Sequence, residues 1–270
     1  MFWHAINGWG DPILLLRAAK LWGKVKIARY LVSFPFFKRK RSDRTAFLLS
    51  ILRETAEKVE VALDCGSVIW SSAVLLGFHA SPMLYYSFAK RHARRFSLIF
   101  AYDNPASATD SYRLFREGVA QRLKVTPVWH LGEPESLLFT YAKETPSGWV
   151  AIGGFRSPSK ASKHASYLRE LVTKVKEFGV KVHGLGAGIQ PSLDIVPLDS
   201  TDSRSLFASR AYATPVLIRQ GKPVMLKSFK EVGEDDLPEG TSLEDLEKPA
   251  LRSLITAYWA LQLNQFLNHT

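Results

Sequence analysis

Four titratable residues share one kind of setting. Each follows a short apolar, β-branched run: Asp64 in Leu63-Asp64-Cys65-Gly66-Ser67, Asp103 in Tyr102-Asp103-Asn104-Pro105, His130 in Val128-Trp129-His130, and Asp199 in Leu198-Asp199-Ser200. Three carboxylates around one site permit glycosyl chemistry. One attacks an anomeric carbon, a second transfers a proton, and a third binds a polar heterocycle. The same three also permit Mg²⁺-assisted phosphoryl transfer. Glycines stand beside them: Gly153-Gly154 after one apolar run, and Gly184, Gly186 and Gly188 after His183. They let a flat ring approach the backbone closely. Each feature has a plain structural reading: Asp202 as a helix N-cap, His130 as a structural histidine, Gly153-Gly154 as a tight turn. Their shared place after apolar runs is the stronger observation.

The elements that must position these residues alternate. Strand candidates are Phe2–Ile6, Val25–Leu31, Val59–Leu63, Ser97–Tyr102, Val125–His130, Trp149–Gly153, Val180–Leu185 and Ile195–Leu198. Helical periodicity fills Asp11–Trp22, Asp43–Lys58, Pro82–Arg94, Asp110–Arg122, Glu133–Glu144 and Lys160–Phe178, with further short helices after Gln190 and over Ser203–Tyr212. Proline at the first helical position after Asp11 and Ser81 supports these boundaries, with Asp43 and Asp110 as N-caps and Gly23 and Gly179 as stops. Eight β–α alternations predict an α/β fold, a (β/α)8 TIM barrel over residues 1–212, with a doubly wound open sheet as the alternative. Residues 213–270 predict an extension packed on that barrel: a hairpin about Gln220-Gly221, an acidic loop Glu231–Glu247 and a helix Pro249–Leu267. In such a barrel the active site lies at the C-terminal ends of the strands, where Asp64, Asp103, His130 and Asp199 are all expected.

Composition bounds the partners. With 46% hydrophobic residues in 270, a full core is available and disorder is excluded for most of the chain. The single cysteine excludes a disulfide framework and a four-cysteine zinc site, and suits a reducing, cytoplasmic setting. No apolar run approaches the ~20 residues of a membrane helix, so no membrane is expected. The net charge of +11 favours a polyanion. Lys38, Arg39, Lys40, Arg41 and Arg44 would grip phosphates just beyond the second strand. Phe34, Phe36 and Phe37 either stack on an extruded base or pack the rim.

In order and spacing the segments resemble the tRNA-guanine transglycosylase superfamily, including relatives that insert 7-deazaguanines into DNA. Leu63–Ser67 is similar to the family's Asp-Ser-Gly-Gly-Phe segment, and Trp149–Gly154 to its Ala-Ile-Gly-Gly-Leu run. His183–Gly186 followed by Leu198–Ser200 is similar to its glycine turn and nucleophile strand. The resemblance implies base exchange through a covalent aspartyl–sugar intermediate, with Asp199 as nucleophile and Asp64 moving the proton. It implies base contacts from Asp103, His130, Gly153, Gly154, His183 and Gly186, no metal or cofactor in the chemistry, and DNA or tRNA plus a 7-deazaguanine as partners, with a partner protein or homodimer allowed. The family's zinc subdomain has no counterpart here, since Cys65 is the only cysteine. That departure favours DNA or an unusual RNA. A catalytically reduced barrel that binds nucleic acid, and a Mg²⁺-dependent phosphoryl enzyme, are the rival expectations. Asp202 is the next nucleophile candidate after Asp199.

Overall fold

The computed structural model describes residues 1–6, 10–34, 44–66, 81–155, 164–188, 193–203 and 215–269. Nine strands form one sheet: β1 (Phe2–Ile6), β2 (Val25–Ser33), β3 (Ala56–Asp64), β4 (Leu98–Phe100), β5 (Val125–Thr126), β6 (Val128–His130), β7 (Trp149–Gly153), β8 (Lys181–Gly184) and β9 (Ser200–Ser203). Their order is β5-β4-β3-β2-β1-β9-β8-β7-β6. Pairings β3–β4, β4–β5, β6–β7, β7–β8 and β8–β9 are parallel. The two ends of this order, β5 and β6, are one segment interrupted at Pro127, which has no N–H to give the ladder. Val125–Thr126 pairs with β4 and Val128–His130 with β7. The segment therefore joins both ends, and the architecture is the expected (β/α)8 barrel with eight strand positions.

Helices α1 (Gly10–Trp22), α2 (Arg44–Arg53), α3 (Pro82–His92), α4 (Ala108–Ala120), α5 (Glu135–Glu144) and α6 (Ala165–Lys176) lie between strands. Ser81 caps α3 by accepting from the Leu84 N–H at 3.2 Å, with Pro82 in the first turn. The cap of α4 is Ser107, not Asp110: its hydroxyl accepts from the Asp110 N–H at 3.2 Å, so the helix starts earlier than Asp110. Helix α2 stops at Arg53, because the chain turns into β3 from Ala56. Asp43 and the expected helices after Gln190 and over Ser203–Tyr212 lie wholly or largely outside the described residues.

By backbone contacts the chain forms two compact units. One comprises Met1–Tyr30, Arg39–Glu60 and Arg204–Thr270; the other comprises Leu31–Lys38 and Val61–Ser203. In the first, hairpin β10 (Val216–Arg219) and β11 (Lys222–Met225) and helix α7 (Pro249–His269) enclose a core of Leu217, Leu226, Val232, Leu246, Ile255 and Trp259. Helix α7 also packs on α1 and β1. Its Asn264 accepts from the Arg29 N–H at 3.0 Å and donates to the Arg29 carbonyl at 2.9 Å. Asn268, one turn on, does the same for Phe2 at 2.9 and 3.0 Å. In the second unit, Tyr85, Tyr86, Phe100, Phe115, Trp129 and Tyr141 are fully buried and back the strand ends that carry the titratable groups. Among the described residues no helix is long and apolar enough to cross a membrane.

The last strand departs from expectation. Ile195–Leu198 is not a strand; the ladder begins only at Ser200. Pro197 cannot donate to it, and Ile195 is exposed. The real strand is Ser-Thr-Asp-Ser, with no apolar signature.

Candidate active site

That five-residue shift reverses the place of Asp199. It precedes β9, at the N-terminal end of the strand, where its carboxylate accepts from the Val182 N–H at 2.8 Å and pairs with Lys176 Nζ at 2.9 Å. Asp64 ends β3 and Asp103 follows β4, at the opposite, C-terminal ends of their strands. An aspartate held there cannot attack a sugar bound among Asp64, Asp103 and His130. Asp202, near the C-terminal end of β9, lies at the end where Asp199 was expected.

The carboxylates at that end form two chains of hydrogen bonds. In the first, Asp103, 4% exposed, is the hub. Its Oδ1 accepts from the Cys65 thiol at 2.9 Å, and its Oδ2 meets His130 Nε2 at 2.7 Å. The His130 N–H donates to Glu133 Oε2 at 2.9 Å. Gly153, beside His130 in the register, leaves room for the ring: a Cβ there would stand 2.7 Å from His130 Nδ1. Gly154 follows, with its would-be Cβ against Leu131. In the second chain, Asp202 Oδ1 accepts from the Gly186 N–H at 2.6 Å and from His183 Nε2 at 3.2 Å. The other ring nitrogen of His183 meets Ser200 Oγ at 2.7 Å. In the tautomer whose Nε2–H donates to the carboxylate, Nδ1 accepts from the serine hydroxyl. Gly186 has φ +73°, a backbone that side-chain-bearing residues rarely adopt, and this turns its N–H toward Asp202.

Asp64 stands beside both chains. Its Oδ2 accepts from Ser33 Oγ and from the Gly66 N–H, each at 3.0 Å. Burial and the nearby charges of Asp103 and Asp202 push its carboxyl up to about 7, against the help of the two hydrogen bonds. Burial and Asp103 hold the Cys65 thiol far above its ordinary range, so this is an inert, protonated donor. Burial raises Glu133. For His130, burial works against the charged ring, but the hydrogen bond and charge of Asp103 outweigh it and the net shift is upward.

The structure thus brings together Asp64, Asp103, His130, Gly153, Gly154, His183 and Gly186 from the sequence reading, and separates Asp199 from them. It adds Ser33, Cys65, Glu133 and Ser200, and puts Asp202, the second nucleophile candidate of the sequence reading, where Asp199 was expected. Lys38, Arg39, Lys40 and Arg41 lie outside the described residues, and Arg44 begins α2. Among the described residues no three His, Cys, Asp or Glu side chains are grouped to hold a metal ion, and no lysine follows a strand at this end.

Fold and site together define a (β/α)8 barrel with an acid–base cluster at its strand ends. No family model matches the chain, and no curated protein matches it. Among solved structures it is similar to the YdjI aldolase of Escherichia coli K12, with a TM-score of 0.55 and 14% identity over 99% of this chain and 89% of that one. It is also similar to a structure from Coccidioides immitis described as a fructose-1,6-biphosphate aldolase, with a TM-score of 0.53 and 12% identity over 98% and 88%. At these identities the likeness shows the fold. These aldolase neighbours, with Asp199 at the far end of its strand, overturn the expected membership of the tRNA-guanine transglycosylase superfamily. The expected exchange of guanine for a 7-deazaguanine in nucleic acid falls with it.

Proposed function

We propose that the chain is an aldolase-type lyase that breaks a carbon–carbon bond β to a carbonyl by carboxylate–imidazole acid–base chemistry. The observation that carries this is Asp64: burial and the charges of Asp103 and Asp202 push its carboxyl up to about 7, and the same Asp103 bonds His130 and favours its charged form. A group titrating near neutrality both takes and returns a proton at useful rates. The barrel neighbours, both described as aldolases, support the same reading.

The Asp64 carboxylate takes the proton of the β-hydroxyl. The carbon–carbon bond breaks, its electron pair moves into the enolate of the carbonyl fragment, and an aldehyde leaves. Protonated His130, held by Asp103, donates a hydrogen bond to the carbonyl oxygen as negative charge develops there. Protonated Asp64 then returns its proton to carbon, completing the balance.

A panel of ketoses, ketose phosphates and 4-hydroxy-2-oxo acids, read by aldehyde release, tests this. Release from at least one member is expected, with Asp64→Asn lowering kcat about 10²–10⁴-fold. Failure of every member, or a full rate in Asp64→Asn, overturns the proposal.

A further inference from the structure

A cavity lies in the C-terminal segment, lined by Leu217, Ile218, Asp235, Asp236 and Leu237 on one side and by helix α7 on the other. Its volume of about 520 Å³ falls within the range of small-molecule sites. The α7 wall is a stripe: Tyr258, Trp259, Gln262, Gln265 and Phe266 recur at helical spacing on one face. Trp259 is 3% exposed and fixed by donating its indole N–H to the Asp236 carbonyl at 2.7 Å. Trp22 packs edge-on against Tyr258 at 5.4 Å between ring centres, which holds that ring in place.

The two carboxylates differ. Asp236 is neutralised by Arg219, whose Nε meets Oδ1 at 2.9 Å, and it also accepts from the Gly233 N–H. Asp235 forms no ion pair among the described residues and leaves one negative charge at the cavity rim. The cavity thus combines aromatic rings, a carboxamide stripe and one uncompensated carboxylate. Ring faces and a carboxylate both attract a cation, and neither favours an anion.

We propose that this cavity binds a small organic cation, an ammonium or guanidinium head on an apolar body. The head sits between Asp235 and the Tyr258 ring, and the body covers Leu217, Leu237 and Trp259. The probes are three molecules of one shape and different charge: 2-phenylethylammonium, 2-phenylethanol and phenylacetate, titrated into the full chain by calorimetry with tryptophan fluorescence as a second readout. The ammonium should bind most tightly, about 5–10-fold above the alcohol, and the carboxylate most weakly. Asp235→Asn should bring the ammonium to within about twofold of the alcohol, while the alcohol binds as before. That unchanged binding shows the cavity is intact in the variant. Equal affinity for ammonium and alcohol, preference for the carboxylate, an unaltered ammonium preference in Asp235→Asn, or no saturable binding of any probe overturns the proposal.

Discussion

Gly153 shows how one hydrogen atom sets the chemistry of its neighbour. A methyl group at this position would stand 2.7 Å from His130 Nδ1 and 3.0 Å from Cε1, inside any tolerable contact. The imidazole must then shift, and this disturbs the 2.7 Å hydrogen bond that it shares with Asp103. Burial already opposes the charged ring, so weakening that bond lowers its pKa. Gly153→Ala should shift the His130 titration, followed by NMR of the ring proton, to lower pH, and should cost about 1–3 kcal/mol of stability by overpacking. An unchanged titration would show that Asp103 does not hold the ring. The glycine and histidine were both legible in the sequence, because each follows a clear apolar strand. Asp199 was misread for a local reason. Ile195-Val196-Pro197-Leu198 has strand composition, but the proline removes the donor that would start the ladder there. The carboxylate that belongs to the cluster stands three residues on, in a strand with no apolar residue to announce it.

At the scale of elements, α7 carries two asparagines in place of apolar residues. Asn264 and Asn268 lie one turn apart and bond the backbone of Arg29 in β2 and Phe2 in β1. Asn264 is 1% exposed, so its carboxamide satisfies a buried N–H and a buried C=O that water does not reach. Asn264→Leu keeps the volume and removes both partners. The expected cost is about 2–4 kcal/mol, measured as a lower midpoint in urea, more than an apolar-to-apolar exchange in the same helix. A change below about 0.5 kcal/mol would mean that the backbone groups find other partners. The expected helix, Pro249–Leu267, falls two residues short of the observed end at His269. The role of its asparagines was not legible, because a polar residue on a mostly apolar stripe gives no sign of what it bonds. The same holds for β5 and β6: the apolar run Val125–His130 was clear, but its function as the joint of the sheet depends on Pro127 dividing it between two partners.

For the whole molecule, two buried groups set opposing responses to pH. Burial lowers His4 from 6.5 to about 3, so this ring stays neutral in the fold while the unfolded chain protonates it. Its contribution is present above about pH 6.5 and is lost as pH falls toward 3. Asp64 is raised from 3.8 to about 7, so the fold keeps a proton that the unfolded chain has released. Its contribution is present below about pH 4 and is lost as pH rises through 7. Between about pH 4 and 6.5 one group adds a proton to the unfolded state and the other adds one to the folded state, and their slopes cancel. The raised Glu133 reinforces the Asp64 direction, and the raised His130 does so above its ordinary value. Asp64→Asn should therefore expose the His4 slope: relative to the parent chain, its unfolding free energy should rise by about 1.4 kcal/mol per pH unit across this window. His4→Phe should expose the opposite slope, so that its stability relative to the parent grows as pH falls. Urea melts at half-unit intervals from pH 4 to 8 measure both. If the free-energy difference between Asp64→Asn and the parent stays constant over that range, the Asp64 carboxyl titrates alike in the folded and unfolded chains. The neutral-pH proton carrier required by the lyase mechanism would then be absent.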